Sequence, residues 1–238
     1  MKFPFKIYIN LTNRCNLKCP FCFMYSSPLN DISMRWEIFT SIIDNSFKDK
    51  HFEVQLGGGE TTLYPQFIQA VEYCLKNLKV DAVIIDTNGF TLSSCIDSLY
   101  QLSEQYQKSI ILKISINYWL IKQRPNHIKQ LENILQNYQN AKFLCYIPSI
   151  RYRMPQSLDQ DMFIELKQSP IFNNIKWIGH PIEFIGRAKD LGISNLTISN
   201  DIVPHYCQPV IFASDGKCFY EDWNGRMNYE KSIAKDPV

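Results

Sequence analysis

Short apolar runs return along this chain at an interval that few folds accommodate: residues 7–11, 52–56, 80–85, 110–116, 143–147 and 175–178. Apart from the first interval they recur about every thirty residues, the length of one strand plus one helix. Segments of helical period fill the gaps. Trp36, Phe39, Ile43 and Phe47 share one face, and Phe67, Val71, Cys74 and Leu78 another, with Pro65 suited to a first turn. Leu92, Cys95 or Ile96, Leu99 and Leu102 repeat the pattern, as do Ile128, Leu131, Leu135 and Tyr138 behind Pro125, and a shorter helix is predicted over 160–167. Six strand–helix units without a Gly-x-Gly-x-x-Gly turn predict an α/β fold, either an open doubly wound sheet or a partial barrel. Periodicity does not choose between them. In both, functional groups belong at the carboxyl ends of the strands.

At 45% hydrophobic and 20% charged, the 238 residues are enough to bury a full core, in one large domain or a domain with a small appendage. The net charge of +2 gives no electrostatic argument for a nucleic-acid partner. Residues 1–6 lead straight into strand-like sequence with no basic-then-apolar targeting pattern, and no apolar run approaches the roughly 20 residues that span a bilayer. A cytoplasmic protein without membrane contact is expected. Eight cysteines raise the question of disulfides, but their clustering and the size of the core argue for a reducing compartment and metal use. Cys74 and Cys95 fall on apolar helix faces, as buried, inert thiols do.

The loop after the first predicted strand reads Asn10-Leu-Thr-Asn-Arg-Cys15-Asn-Leu-Lys-Cys19-Pro-Phe-Cys22. Three thiols within eight positions are ligands or redox partners. A structural zinc site closes on four ligands, and no second Cys pair or nearby His run supplies the rest, although a distant fourth ligand remains open. Three thiolates also suit a cubane iron–sulfur cluster with one iron left vacant for chemistry. Asn10, Thr12 and Asn13 are placed to bond the loop backbone, and Pro20 stiffens the approach to Cys22.

The spacing of Cys15, Cys19, Phe21 and Cys22, together with Gly58-Gly59-Glu60 at the end of the second predicted strand, resembles the radical S-adenosylmethionine (radical SAM) superfamily. The resemblance implies a (β/α)6 partial TIM barrel and one [4Fe-4S] cluster on Cys15, Cys19 and Cys22, whose open iron binds S-adenosylmethionine. It also implies that Glu60 contacts the methionine amino group and that Phe21 packs beside adenine. On the residues alone, Phe21 is equally a core aromatic, and the glycine run is either a close approach to a ligand or a plain turn with Glu60 solvated. Thr61 stands where the family usually has proline.

Further along, the family often places Thr-Asn-Gly where Thr87-Asn88-Gly89 stands, although Asn-Gly is also a generic turn signal. It also sets polar residues against the cofactor ribose where Ser115 and Asn117 lie, with Lys113 on the same parity; satisfied barrel polars are the other reading. Arg151 and Arg153 have the forks that match a carboxylate. Backbone at Gly179-His180-Pro181 is placed to approach adenine.

The segment Glu183 to Gly192, with Gly186-Arg187-Ala188 inside it, is similar to sequence that follows the barrel in peptide-modifying members. Such members carry a SPASM or Twitch extension with auxiliary clusters. Here Cys207, Gly216 and Glu221 keep its spacing with glutamate in place of the second cysteine, and Cys218 lies three positions early. We therefore expect a core over 1–182 and a shortened extension over 183–238 without a complete auxiliary site. In that extension 210–212 pairs with 218–220 as a hairpin, to close the barrel or cradle substrate. A fortuitous metal site from Cys145, His205, Cys207 and Cys218 is the less favoured reading.

The resemblance implies an oxygen-sensitive enzyme that cleaves S-adenosylmethionine reductively and takes a hydrogen from a peptide or protein substrate. It would need an electron donor such as flavodoxin or ferredoxin, and a separate leader-peptide-binding partner if the substrate carries a leader. The alternatives are a small metabolite or nucleoside as substrate, or a non-catalytic electron-transfer protein, which would have no use for Glu60 and its glycines.

Overall fold

The computed structural model describes residues 5–47, 49–152, 160–172, 178–181, 187, 210–212 and 218–220. Strands β1 (Phe5–Thr12), β2 (Phe52–Gly58), β3 (Val80–Thr87), β4 (Ser109–Asn117), β5 (Leu144–Tyr152) and β6 (Ile178–Pro181) are parallel and lie in chain order across one sheet. A doubly wound sheet reverses its order at a switch point; these six do not reverse. Right-handed crossovers between successive neighbours then put the connecting helices on one face. That is the construction of an open (β/α) barrel.

Alternation within the strands supplies the two faces. In β2, Phe52, Val54 and Leu56 are fully buried while Glu53 and Gln55 are partly exposed. In β4, Ile110, Leu112, Ile114 and Ile116 are buried, with Ile111, Lys113 and Ser115 between them half-buried. The apolar face shares its core with helices α1 (Trp36–Asn45), α2 (Phe67–Lys76) and α3 (Ile96–Tyr106). After β4 come α4 (Tyr118–Gln123), α5 (His127–Leu135) and α6 (Gln160–Gln168), and Leu131, Leu135, Met162 and Leu166 join the same core. Burying one such aliphatic side chain is worth about 1.5–3 kcal/mol, so Leu99→Ala or Leu131→Ala should cost about 2–5 kcal/mol. The opposite face mixes Ala82, Ile84 and Ile111 with a polar row. Gln55 Nε2 donates to Asp86 Oδ2 at 2.8 Å, and Lys113 Nζ lies 3.7 Å from Asp86 Oδ1.

Several elements differ in extent from the periodicity. The third helix begins at Ile96, not Leu92, because Cys95 leaves helical geometry (φ −132°) and residues Leu92–Ser94 form a separate 3-10 turn. The fifth strand runs through Pro148 to Tyr152; β6 pairs only from Ser149 onward, so the proline lies where that side of β5 is an edge. Helix α4 has no apolar period of its own in six residues and is started by a cap. On the far side of β1, β7 (Val210–Phe212) pairs parallel with Ile7, Tyr8 and Ile9, and β8 (Cys218–Tyr220) pairs antiparallel with β7. No helix among the described residues is long and apolar enough to cross a membrane.

Candidate active site

The site gathers where β1 to β4 end. From Thr12 the chain leaves the sheet in a long loop that returns alongside itself. Asn13 N donates to Ile32 O at 2.8 Å, Cys15 N to Ser27 O at 3.0 Å and Met34 N to Leu11 O at 2.8 Å. The polar residues before Cys15 set its exit: Asn10 Nδ2 donates to Asn13 Oδ1 at 2.9 Å, and Arg14 N donates to Thr12 Oγ1 at 3.1 Å. Cys19-Pro20-Phe21-Cys22 forms a turn closed by Cys22 N to Cys19 O at 3.2 Å, with proline at the second position where its fixed φ suits a type I or II turn. The turn brings the backbones of Cys19 and Cys22 together.

Cys15 is buried against Leu17 and Leu120, whereas Cys19 and Cys22 are half-buried. Burial pushes the Cys15 thiol up to about 12, with smaller upward contributions from the nearby Glu60, Cys22 and Cys19 charges and a downward one from Leu17 N. Without a cation the thiol form is favoured, and ligation would displace the proton. Among the described residues, no three Cys, His, Asp or Glu side chains gather closely enough to hold a single metal ion.

The glycines at the end of β2 make room for the cysteine loop itself. A Cβ at Gly58 (φ +148°) would stand 2.4 Å from Thr12 O, and one at Gly59 2.3 Å from Arg14 O. Gly59 N donates to Thr12 O at 2.6 Å and Glu60 N to Arg14 O at 2.9 Å, so the two loops are laced backbone to backbone.

Glu60 is fully buried. Its Oε1 accepts from Thr87 Oγ1 at 2.6 Å, Thr62 Oγ1 at 2.7 Å and Thr62 N at 3.3 Å, and its Oε2 from Asn88 N at 2.7 Å. Burial raises the carboxyl above its usual range, and the Thr62, Thr87 and Asn88 donors offset part of that. A neighbouring cation would complete the balance. No described residue forms an ion pair with it.

Asn88 connects the two centres. Its Nδ2 donates to Asn16 Oδ1 at 2.7 Å and approaches Cys15 Sγ at 3.9 Å, and its carbonyl lies 3.0 Å from His127 Nε2. A carbonyl only accepts, so Nε2 carries the His127 proton; Nδ1 is buried without a partner. Burial lowers this imidazole to about 4, with the Arg124 charge acting the same way and the Asn88 bond opposing.

Phe21 packs on Trp119, ring centroids 5.1 Å apart. Ser115 stands in register with Ser149 across β4 and β5. Asn117 is buried, and its Oδ1 accepts from Leu120 N at 2.9 Å as the cap of α4. Arg153, His205, Cys207, Gly216 and Glu221 lie outside the described residues, and β6 carries Gly179-His180-Pro181 as backbone. Sequence reasoning missed Asn16, Thr62, Trp119 and His127, and named Thr87 only as part of Thr-Asn-Gly. Their only signal was adjacency to residues already singled out, and for His127 there was none.

A family model described as the radical SAM superfamily matches residues 9–143. The chain is 33% identical over 120 residues to the antilisterial bacteriocin subtilosin biosynthesis protein AlbA of Bacillus subtilis (strain 168), covering 49% of this chain and 25% of that protein. It is 32% identical over 100 residues to the tungsten-containing aldehyde ferredoxin oxidoreductase cofactor-modifying protein of Pyrococcus furiosus, covering 41% and 27%. It thus spans about a quarter of the length of these relatives. The solved structure of histidine-tagged anSMEcpe with bound AdoMet shares the fold, with a TM-score of 0.60 at 16% identity over 91% of this chain and 73% of that one. With its cysteine loop and Gly-Gly-Glu run both inside a match that takes in more than half of its length, the chain belongs to the radical SAM superfamily.

Proposed function

We propose that Cys15, Cys19 and Cys22 hold one [4Fe-4S] cluster and that S-adenosylmethionine binds beside it at the ends of β1 to β4. The observation that carries this is the joint between the two loops: a three-thiol loop laced to a glutamate that is fully buried, surrounded by donors to its oxygens and free of a described cationic partner. An ammonium group is the chemical complement of such a carboxylate. Held by Cys15, Cys19 and Cys22, the cluster would supply the electron for reductive cleavage of S-adenosylmethionine to methionine, and the 5′-deoxyadenosyl group so released would take a hydrogen atom from a substrate carbon to become 5′-deoxyadenosine.

The protein's part is to orient and to exclude water. Glu60, fixed by Thr62, Thr87 and Asn88, would receive the methionine amino group. Gly58 and Gly59 keep the carboxylate against the cysteine loop. Phe21, Asn88, Ser115 and Asn117 line the cofactor's side of the mouth in this reading, and the Gln55, Asp86 and Lys113 row forms the floor beneath.

The substrate we favour is a peptide or protein. The name of AlbA and the SPASM-like spacing of 183–238 support it, with that segment as a metal-free extension of the 1–182 core. A small-molecule substrate is the second reading, supported by the cofactor-modifying relative. A low-potential flavodoxin or ferredoxin in a reducing cytoplasm fits either.

The test is anaerobic reconstitution followed by dithionite and S-adenosylmethionine. About four irons per chain and formation of 5′-deoxyadenosine are expected, and both should vanish in Cys15→Ala, Cys19→Ala and Cys22→Ala. Turnover retained in any of these, or zinc as the bound metal, would sink the proposal.

A further inference from the structure

We propose that Arg187 is the clasp of the cysteine loop, a positioning residue that holds Cys19 and Cys22 in place for the cluster. This rests on the cluster reading above. Arginine is almost never fully buried unless its donors are used, and Arg187 is only 5% exposed. Its Nη1 donates to Cys19 O at 2.7 Å, its Nη2 to Ser26 O at 3.1 Å, and its backbone N to Cys22 O at 3.1 Å. The guanidinium carbon lies 5.9 Å from the centre of the Tyr25 ring.

These contacts bracket the part of the loop that most needs support. Cys15 is fixed by its own burial, by Ser27 O and by the lacing of Arg14 to Glu60. Cys19 and Cys22 are half-buried, and the turn between them is closed by one 3.2 Å hydrogen bond. A planar fork reaching Cys19 O and Ser26 O together fixes the span that holds both thiols, in a way a flexible ammonium cannot. Partners that orient metal ligands from behind typically change metal affinity 10–100-fold.

The experiment compares the full chain with Arg187→Gln and with the milder Arg187→Lys, which keeps the backbone donor and one side-chain contact. In ligand-free protein, iodoacetamide should alkylate Cys19 and Cys22 about tenfold faster in Arg187→Gln while Cys145 reacts as before, with Arg187→Lys intermediate. In reconstituted protein, a ferrous chelator should draw iron at least about tenfold faster from Arg187→Gln. Unchanged alkylation and iron loss, or equal acceleration at Cys145, overturns the clasp. Should the unaltered protein take up no cluster, the cluster reading fails, and the alkylation ratios still decide the role of Arg187.

Discussion

The two loops that meet above β1 and β2 are held in opposite ways. Around Glu60 the lattice is local and saturated: four donors from Thr62, Thr87 and Asn88 converge on one carboxylate. Around Cys19 and Cys22 the thiols are half-buried, and support comes from 168 residues away in sequence. The first has its hydrogen bonds in place before any ligand arrives, and the second leaves its thiols for what the proposal has them bind. Stability and function should therefore separate between them.

The sharpest contrast is a pair of alanines. Cys19→Ala should abolish 5′-deoxyadenosine formation while the urea midpoint of ligand-free protein stays nearly fixed. Glu60→Ala should cost on the order of 3–4 kcal/mol of folding free energy in the same melts, because it strands buried donors. If instead Glu60→Ala is neutral to folding, the lattice is not the anchor described here.

Next in size is a pH effect. His127 is held well below its unfolded value of about 6.5, so the folded state takes up its proton last. Stability is then full above pH 6.5 and falls as pH drops toward about 4, by up to about 3 kcal/mol. Chemical denaturation across that window should show the loss, and His127→Phe should flatten it.

Gly59→Ala drives a Cβ into Arg14 O and should cost about 2 kcal/mol, together with faster iron loss, since it pries the two loops apart. Smallest is Asn117→Ala, which removes the α4 cap for about 1 kcal/mol. A much larger rise in the KM for S-adenosylmethionine than this cap accounts for would show that Asn117 also meets the cofactor.

What was legible beforehand follows the same division. The strands, most helices and the three thiols could be read because a scarce residue clustered and apolar residues alternated with a period that the backbone enforces. The doubly wound alternative survived because periodicity is blind to strand order. The glycine run announced a close approach, but its partner proved to be the backbone of a loop well before it in the chain. Asn117 was noticed for its position near the mouth, while its oxygen is spent on Leu120 N. His127 was invisible as a site residue, and Arg187 was read only as part of the Glu183–Gly192 segment, because their partners, Asn88 and Cys19, are distant in sequence.

The pairing of β7 with β1 has a bearing on how the protein is made. Cys19 leaves the ribosome 168 residues ahead of Arg187, and the strand that flanks Ile7 to Ile9 emerges later still. Throughout that interval the nascent chain carries its thiols beside an uncovered edge strand, and iron delivery should wait until the later stretch has emerged.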